Sequence, residues 1–228
     1  MAVDDNVSGD ISSGNRQSIR LKGFDYSSQG EYFVTICTRN HMCSLGRVVG
    51  AAMRLSHIGN IVRDCWRDIP SQFYNTKIDT YQIMPNHVHG IVEIMESTRR
   101  GLINQTPTLE NTTKHTWIMM KHSEISLGKV IRAFKARTAR LIHKAGFSTF
   151  KWQRNYYDHI IRDDVDHFMI QQYIELNPLF WEYDIGNPQS KTASFEEFEN
   201  LLKEQFGIHG NALYMILSSN KMNRIKLG

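Results

Sequence analysis

The chain has 228 residues, 41% of them hydrophobic, 11% aromatic and 22% charged, with a net charge of +4. This is globular composition, which excludes disordered, collagen-like and coiled-coil chains. Its apolar runs fall short of the ~20 residues that span a bilayer, which argues against a membrane role, and its acidic, polar start has no signal-peptide core. Three cysteines, Cys37, Cys43 and Cys65, make an odd set without a CxxC pair. They argue against a disulfide framework and for a reduced, cytoplasmic setting.

Charge is unevenly spread. Residues 121–154 hold nine Lys or Arg and a single acid, Glu124, so the rest of the chain is net acidic. A basic block of this kind reads either as a polyanion-binding surface, with nucleic acid the leading ligand, or as a solvated helix face.

In chain order, residues 1–18 lack hydrophobic periodicity and read as a disordered leader. Tyr32 to Thr38 is β-branched and aromatic, a strand. A turn-rich stretch with Gly46 and Gly50 follows. Ser56 is placed to cap a helix ending before Pro70, because Ile58, Ile61, Val62, Cys65, Trp66 and Ile69 recur at helical spacing. Ile78 to Met84 and His87 to Met95 read as two strands broken at Pro85-Asn86. Residues 97–123 read as a polar surface insertion.

Leu127 to Lys144 is a strongly amphipathic helix, with Val130, Ile131, Phe134, Leu141 and Ile142 as its apolar stripe and Gly146 beyond its end. Tyr156 to Ile161 is a short strand. Asp163-Asp164 opens a helix expected to stop near Leu176, before Asn177-Pro178. Residues 182–193 read as a linker and 194–205 as an acidic amphipathic helix, within a C-terminal extension (185–228) of unknown role. The core order, strand–helix–strand–strand–helix–strand, predicts an α+β ferredoxin-like fold: an antiparallel sheet with two helices on one face.

Three motifs carry candidate chemistry. His87-Val88-His89 on a strand places both imidazoles on one face, spaced to hold one divalent cation, or places two hydrogen-bonded histidines there. With Glu93 the pair also matches the HxHxxxE spacing of a cupin-type site, which would require an all-β barrel. A zinc hydrolase lacks a supporting HExxH.

Tyr173 and Asn177, four residues apart, share a helix face. They offer a phenol nucleophile and a hard oxygen ligand, or an aromatic packing residue and a helix cap. Lys151-Trp152-Gln153-Arg154-Asn155-Tyr156-Tyr157 interleaves cations with aromatic rings, which suits base stacking and phosphate neutralisation, or simply anchors a loop. Read together, these motifs describe a cation polarising a scissile phosphate while a tyrosine attacks it.

With these motifs the chain resembles a family, the REP-associated tyrosine transposases of the HUH nuclease superfamily, relatives of the single-strand transposases of small insertion sequences. The matching stretches are SIRLKGFDYSSQGEYFVTICTRN (18–40), IMPNHVHGIVEI (83–94), IRAFKARTARLI (131–142), WQRNYYDHIIRDD (152–164) and YIELNP (173–178), in the family's order, over about residues 18–184.

The resemblance implies that residues 19–184 form an HUH domain. His87, His89 and Asn177 would hold Mg²⁺ or Mn²⁺, and Tyr173 would be the nucleophile. Single-stranded DNA, hairpins included, would be the substrate of a DNA transposase acting as a monomer or homodimer. Tyr156 and Tyr157 match the WQRNYY segment rather than the nucleophile position. Candidate DNA contacts are Lys129, Arg132, Lys135, Arg137, Arg140, Lys151, Trp152 and Arg154. The alternative, from a different functional class, is a non-catalytic single-strand nucleic-acid-binding protein.

Overall fold

A computed structural model describes residues 25–96, 125–184, 186–191 and 195–204. The leader, the 97–123 insertion and the end of the C-terminal extension lie outside those residues.

Four strands form the main sheet: β1 (Gly30–Cys37), β4 (Thr76–Ile83), β5 (His87–Ile94) and β6 (Tyr157–Ile161), in the order β4-β5-β1-β6. Each neighbouring pair is antiparallel. Between β1 and β4 lie a small hairpin, β2 (Gly46–Val49) and β3 (Ala52–Leu55), then α1 (His57–Arg67) and the one-turn α2 (Ile69–Gln72). The helix α3 (Leu127–Lys144) joins β5 to β6, and α4 (Asp164–Phe180) and α5 (Phe195–Glu204) follow. Strand β1 feeds through α1 to an edge strand, the next strand inserts between them, and β6 closes the far edge. That is the expected ferredoxin-like arrangement.

Alternation along the central strands separates two buried layers. Tyr32, Val34, Ile36, Val88, Val92 and Ile94 join Val62, Cys65 and Trp66 of α1 and Val130, Ile131 and Phe134 of α3 in one core. The two crossover helices therefore cover one face, as predicted. Phe33 and Ile91 form the other core with Ile161, Ile170, Tyr173, Ile174 and Phe180, so α4 covers the opposite face.

The contact between α1 and the sheet depends on Gly90. A Cβ there would stand 2.3 Å from the Trp66 ring. Trp66 is wholly buried and meets Phe134 edge-on at 5.2 Å. Only a residue without a side chain lets the indole lie on β5.

Local chemistry sets two of the helix starts. Ser56 Oγ accepts the Gly59 N–H and starts α1, and Asp163 Oδ1 accepts the Asp166 N–H and starts α4. The turn-rich stretch proves to be a hairpin from Gly46 to Leu55: Gly50 and Ala51 both take positive φ (57° and 58°), the geometry of a tight two-residue turn. One expectation is corrected: α4 does not stop before Pro178 but runs on to Phe180. Proline costs a helix most in mid-run; here it removes one N–H in the last turn, while Pro178 and Phe180 are buried. A 3-10 turn, Trp181–Tyr183, then occupies the start of the expected linker.

Candidate active site: a histidine pair beneath a tyrosine-bearing helix

Register decides where the motif residues meet. In β5, Val88 points toward α1 and α3, while His87 and His89 point toward α4. The imidazoles lie side by side with ring centres 4.4 Å apart. His89 stacks on Phe33 at 5.5 Å, and Trp181 stands 6.2 Å from His87.

From above, α4 brings Tyr173 and Asn177 down on one face. The Tyr173 hydroxyl is 3.2 Å from His89 Nε2, and the rings are 5.1 Å apart. The Asn177 carboxamide faces His87 without making a hydrogen bond to it, and favours the charged imidazole. The sequence-predicted quartet therefore converges. It is also closed: both histidines are 0% exposed, and Tyr173 and Asn177 are 3% exposed.

Burial sets the charge state. It pushes the His87 pKa down to about 3, assisted by His41 and opposed by Asn177. Burial, then the neighbouring His87, pushes His89 well below the usual histidine range. Both rings are neutral at pH 7, the form that ligates a metal.

Asn86 fixes which His87 nitrogen is free. Its Nδ2 donates to the carbonyls of His41 (3.2 Å) and Gly186 (2.7 Å). Its Oδ1 is then left to accept, 2.7 Å from His87 Nδ1, so Nδ1 carries the proton and Nε2 the lone pair. On His89, Nδ1 lies 2.9 Å from Thr35 Oγ1. A proton on Nδ1, donated to that hydroxyl, would leave the His89 Nε2 lone pair facing Tyr173.

The donor set fits a small divalent cation. His87 Nε2 and Asn177 Oδ1 are both buried with no hydrogen-bond partner. Two such orphans in one pocket are costly unless a ligand satisfies them. Among the described residues no group of three His, Cys, Asp or Glu stands together, so a cation held here would need the Asn177 carboxamide beside the two imidazoles.

Glu93 is elsewhere. It lies six residues from His87, roughly 20 Å along a strand, and pairs with Lys77 at 3.3 Å. The α+β fold and this separation overturn the cupin-type alternative. Tyr157 packs edge-on against Phe33 at 6.1 Å, and Tyr156 packs on the other core.

The basic block is divided. Arg132 and Arg140 are exposed on α3 and Lys129 is half-buried. Arg137 is ion-paired with Asp68. Lys135 Nζ donates to the carbonyls of Gln153, Arg154 and Asn155, closing that loop onto α3. Trp152 is half-buried, donates from Nε1 to Thr138 Oγ1 at 2.7 Å and packs on Phe150. Lys151 and Arg154 are exposed.

Asn86 and Thr35 are the site residues that motif reasoning missed. Adjacency to His87 is a sequence-level signal for Asn86; nothing in the sequence marks Thr35, which reaches His89 only through strand pairing. Among the described residues, no helix is long and apolar enough to cross a membrane.

No protein-family model matches the chain. Similar solved structures include a REP-associated tyrosine transposase bound to a REP hairpin, 18% identical, with a TM-score of 0.46, covering 71% of this chain and 73% of that one. Another is a protein of Deinococcus radiodurans R1 described as a candidate transposase, 19% identical, with a TM-score of 0.37, covering 68% of this chain and 96% of that one. An uncharacterized protein of Haemophilus influenzae is 41% identical over 170 residues, 75% of this chain and 92% of the relative. At that identity and coverage, the chain belongs to the same protein family as the Haemophilus influenzae protein.

Proposed function

We propose that this protein is a metal-dependent single-stranded DNA transposase or nickase that cuts and rejoins strands through a 5′-phosphotyrosine on Tyr173. The observation that carries this reading is the convergence of the Tyr173 hydroxyl, the His87–His89 pair and the Asn177 carboxamide in one pocket, with His87 Nε2 and Asn177 Oδ1 left unsatisfied.

His87, His89 and Asn177 would hold Mg²⁺ or Mn²⁺, which when bound polarises the scissile phosphate and favours phenolate over phenol. Asn86 and Thr35 orient the imidazoles, as partners of metal-bound histidines commonly do. Tyr173 Oη bonds to phosphorus as the P–O3′ bond breaks, and the phenol proton is balanced by protonation of the departing 3′-oxygen. The phosphotyrosine conserves bond energy, so the reverse attack by a 3′-hydroxyl rejoins strands without ATP. Because the quartet is buried, a strand would reach it only if the covering layer opens.

Incubation with a labelled single strand and Mn²⁺ tests the reading. Wild type should form a covalent adduct that survives denaturing electrophoresis. Tyr173→Phe should bind DNA and form none, and EDTA or His87→Ala with His89→Ala should abolish the adduct. An adduct that persists in Tyr173→Phe moves the nucleophile elsewhere, and one undiminished by EDTA removes the metal. The closed pocket also favours a second reading, a single-strand DNA-binding protein without cleavage. Salt-dependent binding with no adduct under any metal would select it.

A further inference from the structure

We infer that the cleft between the Arg39–His41 turn and residues 151–154 is a phosphate seat for single-stranded DNA, with Arg39 as a DNA contact. The choice of DNA as the polyanion rests on the proposed function; the seat itself rests on geometry and charge.

The cleft encloses about 360 Å³. That is at the small end of the roughly 300–1,000 Å³ typical of ligand pockets, room for one nucleotide rather than a duplex. Its walls come from two segments far apart in sequence. One supplies Arg39 and the other supplies Lys151 and Arg154, all exposed, and no Asp or Glu lines it. Among the described residues none of these three cations forms an ion pair, whereas Arg137 and Lys135 on the adjoining helix are engaged elsewhere. Cations gathered from separate segments without a counter-charge make a local field that an anion would relieve.

The two walls are held together by backbone. Arg39 N–H donates to Lys151 O at 2.8 Å, Gln153 N–H to Cys37 O at 2.9 Å, and Thr38 bridges to Trp152. Their spacing is therefore set before a ligand arrives. The turn itself is left-handed at two consecutive residues, Asn40 (φ 55°) and His41 (φ 51°). Asn and His are among the side chains that tolerate this region, which otherwise favours glycine. Such backbone persists where surrounding structure enforces it, and it is concentrated at ligand clamps.

The cleft adjoins the histidine pair. Thr38 N–H and Oγ1 both donate to Asn86 O, at 2.8 and 3.0 Å, and Asn86 Nδ2 donates to His41 O. The same Asn86 side chain holds His87 Nδ1. A phosphate seated by Arg39 would thus be linked, through Thr38 and His41, to the residue that holds His87.

The test uses the full chain in EDTA, so that cleavage does not intervene. The probe is a fluorescein-labelled strand of about twenty thymidines, longer than the roughly 4–16 nucleotides a single-strand fold occupies. Anisotropy titrations across a salt series give affinity and salt slope. Arg39→Ala should weaken binding about 5- to 10-fold and reduce the slope by about 0.7, the value for one lost phosphate contact. Arg39→Lys should keep the wild-type slope. Arg39→Ala combined with Arg154→Ala should lose less than the product of the two single effects, because both act on one phosphate.

Arg39→Gln, with an unfolding midpoint matching wild type, serves if the alanine variant folds poorly. Wild-type affinity and slope in a folded Arg39→Ala or Arg39→Gln variant would overturn the seat. Equal losses on a duplex of the same length would overturn its assignment to single strands. Arg39-dependent binding without any Tyr173 adduct in Mn²⁺ would leave the seat standing and remove the cleavage reading instead.

Discussion

The two faces of the sheet are built by opposite rules. Toward α1 and α3, β5 presents Val88, Gly90, Val92 and Ile94, and the space fills with Trp66, Phe134 and their neighbours. Toward α4, the same strand presents His87, His89 and Ile91, and the layer holds Thr35, Tyr173 and Asn177 with two unsatisfied polar atoms. One face is an apolar jigsaw whose stability comes from packing density. The other accepts buried polar groups that lower stability unless bound. Period-two alternation lets a single strand serve both, so the chain can carry a costly site on one side because the other side is well packed.

Perturbing the packed face should have the largest effect. Trp66→Ala removes a fully buried ring and should cost about 3–5 kcal/mol, read by denaturant unfolding. An unchanged midpoint would mean that the sheet is not stabilised from this side. Gly90→Ala adds a methyl where the indole lies and should cost about 1–3 kcal/mol by overpacking. It leaves His87 and His89 facing α4, so residual DNA affinity of the folded fraction should match wild type.

On the polar face, Asn86→Ala takes the acceptor from His87 Nδ1 and frees the His87 tautomer. Mn²⁺ affinity, measured by calorimetry, should fall about 10- to 100-fold. Affinity equal to wild type would show that Asn86 does not orient the ligand.

The smallest effect belongs to the clamp that holds α4 down. His167 bridges Glu31 on β1 (2.6 Å) and Asp79 on β4 (2.9 Å), and Gln171 also donates to Asp79. Burial lowers the His167 pKa, but the hydrogen bond and charge of Glu31, then of Asp79, outweigh it and raise the net value. A raised folded-state pKa means that the clamp stabilises fully below the ordinary histidine value and is lost as pH rises through the raised one. His167→Gln should therefore lower stability by about 1 kcal/mol or less at low pH, and the gap from wild type should close at higher pH. A gap that widens with pH would reverse the assignment.

Local patterns were legible where one element determines its own fate. The 127–144 helix has the bounds its apolar stripe predicts, and Ser56 caps α1 as expected. Where a neighbour decides, local reading fails. Pro178 looks like a stop, yet α4 carries it in a buried last turn. Lys135 and Arg137 look like free cations, yet Arg39, outside the basic block, lines the cleft and those two hold the fold together.

The sequence alone determined the ferredoxin-like element order, the placing of both histidines on one side of a strand, and the pairing of Tyr173 with Asn177 on one helix face, because all three follow from periodicities of two and 3.6 residues. Tertiary structure decided that these two faces meet, that Asn86 and Thr35 orient the imidazoles, and which cations remain exposed. Those outcomes depend on strand register and helix docking, interactions between residues far apart in the chain that no local period encodes.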